Sequence, residues 1–229
     1  TTLRLMIPIA LTKYRHVIFK GSKKLFSRGI SVYENIFKEQ GINFLLSEDS
    51  LKIDGVLKSG NFIVQGDISS QFISGLLFAL PILDGDSVIT ISNKLESESY
   101  VEMTIDVLNR FGIEIIKDGN VFFVKGNQKY QPCNQIVEKD YSNAAFLSAL
   151  NYVGGDVKVT SLNPKSIQGD KVYEKYFEMI KNSHPTIDIF NCIDLGPILF
   201  TISSFYNGAK FIGIKRLRIK ESDRVKDML

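Results

Sequence analysis

The chain has 229 residues, 44% of them hydrophobic, and a formal net charge of +3. That supplies one large core or two modest ones, and 23% charged with 11% aromatic residues is the composition of an ordinary globular chain rather than a disordered one. The small cationic excess permits small anionic ligands but does not argue for nucleic acid, and no basic patch interleaved with aromatics occurs.

In chain order, "TTLRLMIPIAL" has the spacing of an apolar helix and "HVIFKG" reads as a strand. "ISVYENIFKEQG" is an amphipathic helix with Ile30, Tyr33 and Phe37 on one face; Gly41 closes it, placed for the left-handed conformation. "INFLL", "LKIDGV" and "NFIVQG" follow as strands. Ser69-Ser70-Gln71 then opens an apolar helix that Pro81 interrupts, and "SVITI" is the next strand. "SYVEMTIDVLNRFG" repeats the amphipathic pattern through Val101, Ile105 and Leu108, with Gly112 at its end. "IEIIK", the turn "KDGN" and "VFFVKG" complete a strand–helix–strand–helix–strand–strand unit.

The unit recurs. "AL-PILDGD-SVIT" from Ala79 superposes on "AL-NYVGGD-VKVT" from Ala149, about 70 residues later, so "VKVT" is expected as a strand. The opening segment and "DLGPILFTISSFYNGAKFIGI" from Asp194 have the same shape. The first helix of each copy is apolar nearly all round, which predicts helices inside and sheets outside. The fold class is therefore α/β (α+β), built from repeated βαβαββ units. The least repetitive stretch, "GNQKYQPCNQIVEKD", sets a boundary near Ile136 and divides the chain into 1–136 and 137–229.

Cys133 and Cys192 lack metal-ligand spacing and His16 and His184 are isolated, so no metal site, disulfide framework or His-based triad is expected. No signal peptide or membrane span is read; the longest apolar run, "FISGLLFALPIL", is too short for a bilayer. The expectation is a cytoplasmic monomer.

Polar residues stand at the helix starts: Ser69-Ser70-Gln71, Ser142-Asn143 and Asp194. Ser142 reads as a cap accepting the first free amides. For Ser69-Ser70-Gln71, after the flexible "QGDI", a cap and an oxyanion held at the positive dipole end both fit. Ser97 and Tyr100, three apart, are either two hydroxyl donors on one helix edge or a cap and a surface tyrosine. In "RLRIKESDR", an extended strand would turn Arg216, Arg218 and Lys220 to one side and Leu217 and Ile219 to the other. A solvated edge and the wall of a polyanion site, with Glu221 and Arg224 beside the helix start "SDRVKDML", both remain open.

"GDISSQFISGLLFALP", "SESYVEMTIDVLNRFGIEI", "DLGPILF" and "LRIKESDR" resemble, in order and over almost the whole chain, the 5-enolpyruvylshikimate-3-phosphate synthase family. The resemblance implies two lobes, each of three βαβαββ units with helices inside. It implies transfer of the enolpyruvyl group of phosphoenolpyruvate to the 5-hydroxyl of shikimate 3-phosphate, releasing phosphate, without metal or organic cofactor. By motif, Ser69, Ser70, Ser97 and Tyr100 would hold shikimate 3-phosphate, and Gln71 would lie between the substrates. Asp194 would grip the ring hydroxyls and take the 5-hydroxyl proton, with Lys220 beside it. Glu221 would protonate the methylene carbon, and Arg224 and Arg28 would bind phosphoenolpyruvate. Arg216, where some members carry asparagine, would be substrate-binding.

Thr1-Thr2-Leu3-Arg4 resembles the continuation of the family's "GNSGTT-R" segment. The chain is therefore expected to be an internal piece, truncated at both ends and inactive alone, with 1–136 from the first lobe and 137–229 from the second. The sister enolpyruvyl transferase acting on UDP-N-acetylglucosamine shares fold and reaction but uses a cysteine-bearing loop, a context that neither cysteine has. A non-catalytic anion-binding repeat domain is the remaining reading. The expected partners are the two small substrates, with no nucleic acid and no membrane.

Overall fold

Two apolar cores organise the chain. The computed structural model describes residues 1–27, 29–220 and 222–228, the Ile219 side chain excepted. One unit comprises Thr1–Glu96 and Val101–Asn134; the other comprises Ser97–Tyr100 and Gln135–Leu229.

The first unit holds α1 (Thr2–Leu11), β1 (His16–Lys20), α2 (Lys23–Ser27), α3 (Ser31–Glu39), β2 (Asn43–Leu46) and β3 (Ser50–Asp54). It continues with β4 (Asn61–Val64), α4 (Ser70–Ala79), β5 (Ser87–Ile91), α5 (Glu98–Arg110, whose first residues 98–100 belong to the other unit), β6 (Ile115–Asp118) and β7 (Val121–Val124), whose order is the expected βαβαββ. One sheet runs β1-β3-β2, all antiparallel. The other runs β4-β5-β7-β6, with β4 and β5 parallel and the remaining pairs antiparallel. The parallel pair exists because α4 carries the chain back across the sheet, whereas the "KDGN" turn lets β7 return beside β6.

Burial follows the sequence periods. In β4, Phe62 and Val64 face the core while Ile63 faces out, as a period of two requires. Ile30, Tyr33, Phe37, Val101, Ile105 and Leu108 are all buried, and Gly41 and Gly112 take the left-handed conformation at φ +69° and +77°. α4 is covered on every side: Phe72, Ile73, Leu76 and Leu77 are fully buried, contributing about 2 kcal/mol each. Gly75 lets α1 cross α4 closely; a Cβ there would stand 2.3 Å from Tyr33 Oη and 2.7 Å from the Arg4 carbonyl oxygen. Tyr33 Oη needs that space because it donates to the same Arg4 carbonyl at 2.7 Å. In this unit the apolar helix lies inside and the sheets present one face to solvent.

The second unit contains α6 (Tyr141–Ala149), α7 (Tyr173–Asn182), β8 (Thr186–Asp188), α8 (Gly196–Phe205), β9 (Lys210–Ile212) and α9 (Arg224–Met228). β8 and β9 pair in parallel, with α8 as the crossover. Phe177, Ile187, Ile189, Leu195, Leu199 and Leu217 anchor its core.

Three expectations fail here. "VKVT" forms no strand: the Asn151 side chain clamps Val157, accepting from its amide at 2.6 Å and donating to its carbonyl at 2.8 Å. Those backbone groups are satisfied without a ladder. Second, α6 is buried on one face only, through Tyr141, Ala144, Ala145 and Ala149, while Phe146 and Leu147 are exposed. Third, "RLRI" is not extended. Gly213, at φ +74°, turns the chain after β9, and Lys215–Ile219 coils into a 3-10 turn. Neighbouring Arg216 and Leu217 are therefore both buried, where a strand would put them on opposite sides.

Candidate functional site

In the first unit, Ser69 is extended at φ −167° and caps α4, its Oγ accepting from the Gln71 amide at 3.3 Å. Ser69 and Ser70 are buried hydroxyls at the positive end of an apolar helix. Gln71 is held from both ends: its Nε2 donates to Thr1 Oγ1 at 2.8 Å, and its Oε1 accepts from Arg4 Nη1 at 3.3 Å. Arg4 also donates to the Gly29 carbonyl at 3.1 Å and stacks over Phe72. Sequence reasoning missed Arg4 as a site residue, although it ends the family-like string Thr1-Thr2-Leu3-Arg4, which was the available signal.

The second unit gathers six of the expected residues. Asp194 lies in a 3-10 turn, Ile193–Leu195, that leads into α8, and its side chain caps neither helix. Its Oδ1 accepts from Lys220 Nζ at 3.2 Å and from Arg224 Nη1 at 2.9 Å. Its Oδ2 lies 3.3 Å from the Tyr100 hydroxyl, so Tyr100 is no surface tyrosine. Arg224 is available because α9 begins there, capped by Asp223, which accepts from the Lys226 amide at 3.1 Å. Arg216 is 7% exposed and donates to Ser97 Oγ at 2.6 Å. Ser97 itself is fully enclosed at φ +55°. That conformation costs a non-glycine residue about 1 kcal/mol, offset by a charge-assisted hydrogen bond that only this geometry aims at Arg216.

Burial raises the Asp194 carboxyl, but Lys220 and Arg224 outweigh it and hold the group below the usual carboxylate range. Lys220 is also lowered: burial acts first, the charges of Arg216 and Arg224 add to it, and Asp194 offsets part. Both directions agree, since two cations share the Asp194 carboxylate and the charge of Arg216 acts on Lys220 as well. Tyr100 is pushed upward by burial and then by the charges of Asp170 and Asp194, which fixes it as a donor.

Ser142 does not cap α6. Asp140 does, accepting from the Ser142 amide at 2.8 Å, while the Ser142 hydroxyl donates to Asp170. The helix begins at Tyr141, so extended Asp140 occupies the N-cap and Ser142 lies inside the first turn. Asp170, which sequence reasoning also missed, sits in "SIQGDKV" with no helix or strand pattern to mark it. Arg28 and Glu221 lie outside the described residues. Among the described residues no group of three or more His, Cys, Asp or Glu side chains is arranged to hold a metal ion. No described helix is long and apolar enough to cross a membrane.

The family described as EPSP synthase (3-phosphoshikimate 1-carboxyvinyltransferase) matches residues 1–229. The chain is 44% identical to a protein of Brachyspira hyodysenteriae named 3-phosphoshikimate 1-carboxyvinyltransferase, over 100% of this chain and 59% of that protein. It is 45% identical to the Clostridium acetobutylicum protein of the same name, over 100% of this chain and 58% of that one. The chain thus spans less than two thirds of the length of these relatives. Among solved structures, EPSP synthase from Acinetobacter baumannii superposes with a TM-score of 0.72 at 22% identity, over 99% of this chain and 58% of that chain. That likeness bears on the fold, which is the mixed α/β architecture described above.

Proposed function

The chain belongs to the EPSP synthase family, and on that premise we propose that its protein transfers the enolpyruvyl group of phosphoenolpyruvate to the 5-hydroxyl of shikimate 3-phosphate, releasing phosphate. The observation that carries this reading is the Asp194 constellation: one carboxylate gripped by Lys220 and Arg224, with the Tyr100 hydroxyl at its second oxygen. Two phosphorylated, anionic substrates call for such cations, and a hydroxyl nucleophile calls for a carboxylate that remains charged at neutral pH.

Asp194 accepts the 5-hydroxyl proton as the 5-oxygen bonds to the central carbon of phosphoenolpyruvate. A carboxylate held below its usual range is a weak base, so its main service is to orient the hydroxyl. Lys220 and Arg224 offset the negative charge growing on that oxygen. Glu221, by motif, gives a proton to the methylene carbon; loss of a proton from that carbon and departure of phosphate restore the enol ether. Ser69, Ser70, Ser97 and Tyr100 are assigned to shikimate 3-phosphate, Gln71 to both substrates, and Arg28 and Arg224 to phosphoenolpyruvate. Arg216 supports Ser97, which accounts for an arginine where other members place asparagine. The two units are read as parts of the two lobes, in a cytoplasmic monomer.

Isothermal titration of the 229-residue chain with shikimate 3-phosphate tests the reading. Millimolar or tighter binding, weakened about tenfold by Ser70→Ala, is expected for one lost hydrogen bond to a charged group. Equal affinity for inorganic phosphate or UDP-N-acetylglucosamine would overturn it.

A further inference from the structure

Asp170 has no role in the reaction as described, yet it stands against the groups that do. It is 2% exposed, in the 3-10 turn Gly169–Val172. Gly169 allows the close approach: a Cβ there would stand 2.5 Å from Ser99 Oγ and 2.9 Å from the Asn191 carbonyl oxygen. Asp170 Oδ2 accepts from the Ser142 hydroxyl and lies 3.4 Å from Tyr100 Oη. Its Oδ1 is buried and has no hydrogen-bond partner among the described residues.

Tyr100 therefore has one proton and two carboxylates in reach, at 3.3 Å and 3.4 Å. The two are not equivalent. Asp194 already receives Lys220 and Arg224, whereas the hydrogen bonds to Asp170 come from neutral hydroxyls. The charged or titratable groups that act on Asp170 are Asp194, Asp140 at the start of α6, and Tyr100, with the Cys192 thiol close by. Lys220 and Arg224 are engaged on Asp194, and Arg216 on Ser97.

We infer that Asp170 is a positioning residue for phosphate-ester binding, whose proton uptake turns the Tyr100 hydroxyl from the carboxylate to the ligand. This rests on the reading that Tyr100 holds the phosphate of shikimate 3-phosphate. Charged Asp170 competes with an anionic ligand for the Tyr100 proton. Once protonated on Oδ2, it donates to Tyr100 Oη and still accepts from Ser142, so Tyr100 gives its own proton to a phosphate oxygen. One proton is taken from solvent per ligand bound, and no other bond changes. Burial above all, with the charges of Asp194 and Asp140, pushes the Asp170 carboxyl up to about 6 against the opposing hydrogen bonds from Ser142 and Tyr100, so this uptake is accessible near neutral pH.

Isothermal titration with shikimate 3-phosphate at pH 5.5, 7 and 8, in buffers of different ionisation enthalpy, compares wild type with Asp170→Asn. The phosphate ester itself titrates near pH 6, but equally for both proteins, so the ratio of affinities is the readout. Nearly equal affinities are expected at pH 5.5, and about a hundredfold tighter binding by Asp170→Asn at pH 8, two pH units above the Asp170 midpoint, with proton uptake at pH 8 by wild type alone. Binding weakened by the same factor at every pH would mark a merely structural residue and overturn the inference. A second measurement needs no ligand: carboxyl carbon NMR of Asp170 should show its midpoint rise in Tyr100→Phe, and an unmoved midpoint would also overturn it. If that midpoint rises but neither protein binds shikimate 3-phosphate at any pH, the substrate reading has failed and the ligand coupling falls with it, although the link between Asp170 and Tyr100 survives.

Discussion

α4 and α6 are spelled alike and buried differently. Aligned through Ala79 and Ala149, Leu76, Leu77 and Leu80 are each 0% exposed, while their counterparts Phe146, Leu147 and Leu150 are 45%, 50% and 47% exposed. Both segments are helical, because a helix satisfies its own amides within a few residues. The strands that follow differ more. β5 is flanked by β4 and β7, whereas "VKVT" forms no ladder and Val157 is served by the Asn151 side chain. The repeat in sequence thus specifies the helix, whereas the helix's burial and the strand after it depend on what lies beside them.

The largest effect that sharpens this contrast is Leu77→Ala, expected to cost about 3 kcal/mol in urea unfolding, against under about 1 kcal/mol for Leu147→Ala. Equal costs would break the comparison. Gly75 and Ala145 occupy the same place in the repeat. Gly75→Ala should destabilise by about 2 kcal/mol, because Tyr33 and the Arg4 carbonyl leave no space, while Ala145→Gly should cost about 1 kcal/mol through helix propensity.

A third prediction concerns the buried carboxylate of the second unit. Asp170 is held at about 6 when folded, above an ordinary carboxyl near about 4. Its contribution is therefore complete below pH ~4 and is lost as pH rises through ~6, on the order of 2 kcal/mol. Unfolding across pH 4 to 8 should show wild type losing that much relative to Asp170→Asn; parallel curves would refute it. A local effect comes last: Asn151→Ala should cost about 1 kcal/mol by freeing two backbone groups, read as faster amide exchange at Val157.

Much of this was legible in the residues. The apolar helices, the glycine stops at Gly41 and Gly112, and the β4–β7 unit all follow from short-range periodicity. The motif residues Ser97, Tyr100, Asp194, Arg216, Lys220 and Arg224 were nameable because each sits in a distinctive string. Their mutual contacts were not, since Ser97 and Arg216 lie 119 positions apart. The 3-10 turn at Lys215–Ile219 was misread as a strand because "RLRIK" alternates, and alternation carries no information about the turn Gly213 imposes. Arg4 and Asp170 escaped because a single charge in an apolar helix or a loop has no period.

Under the proposed function, the residues named by motif bind shikimate 3-phosphate. Amide NMR of the labelled 229-residue chain, titrated with that compound, tests it most directly. Saturable shifts are expected, concentrated at Ser69–Gln71, Ser97–Tyr100 and Asp194, absent with shikimate lacking the phosphate and reduced in Asp194→Asn. Shifts spread evenly over surface lysines, reproduced by inorganic phosphate at the same concentration, would contradict it.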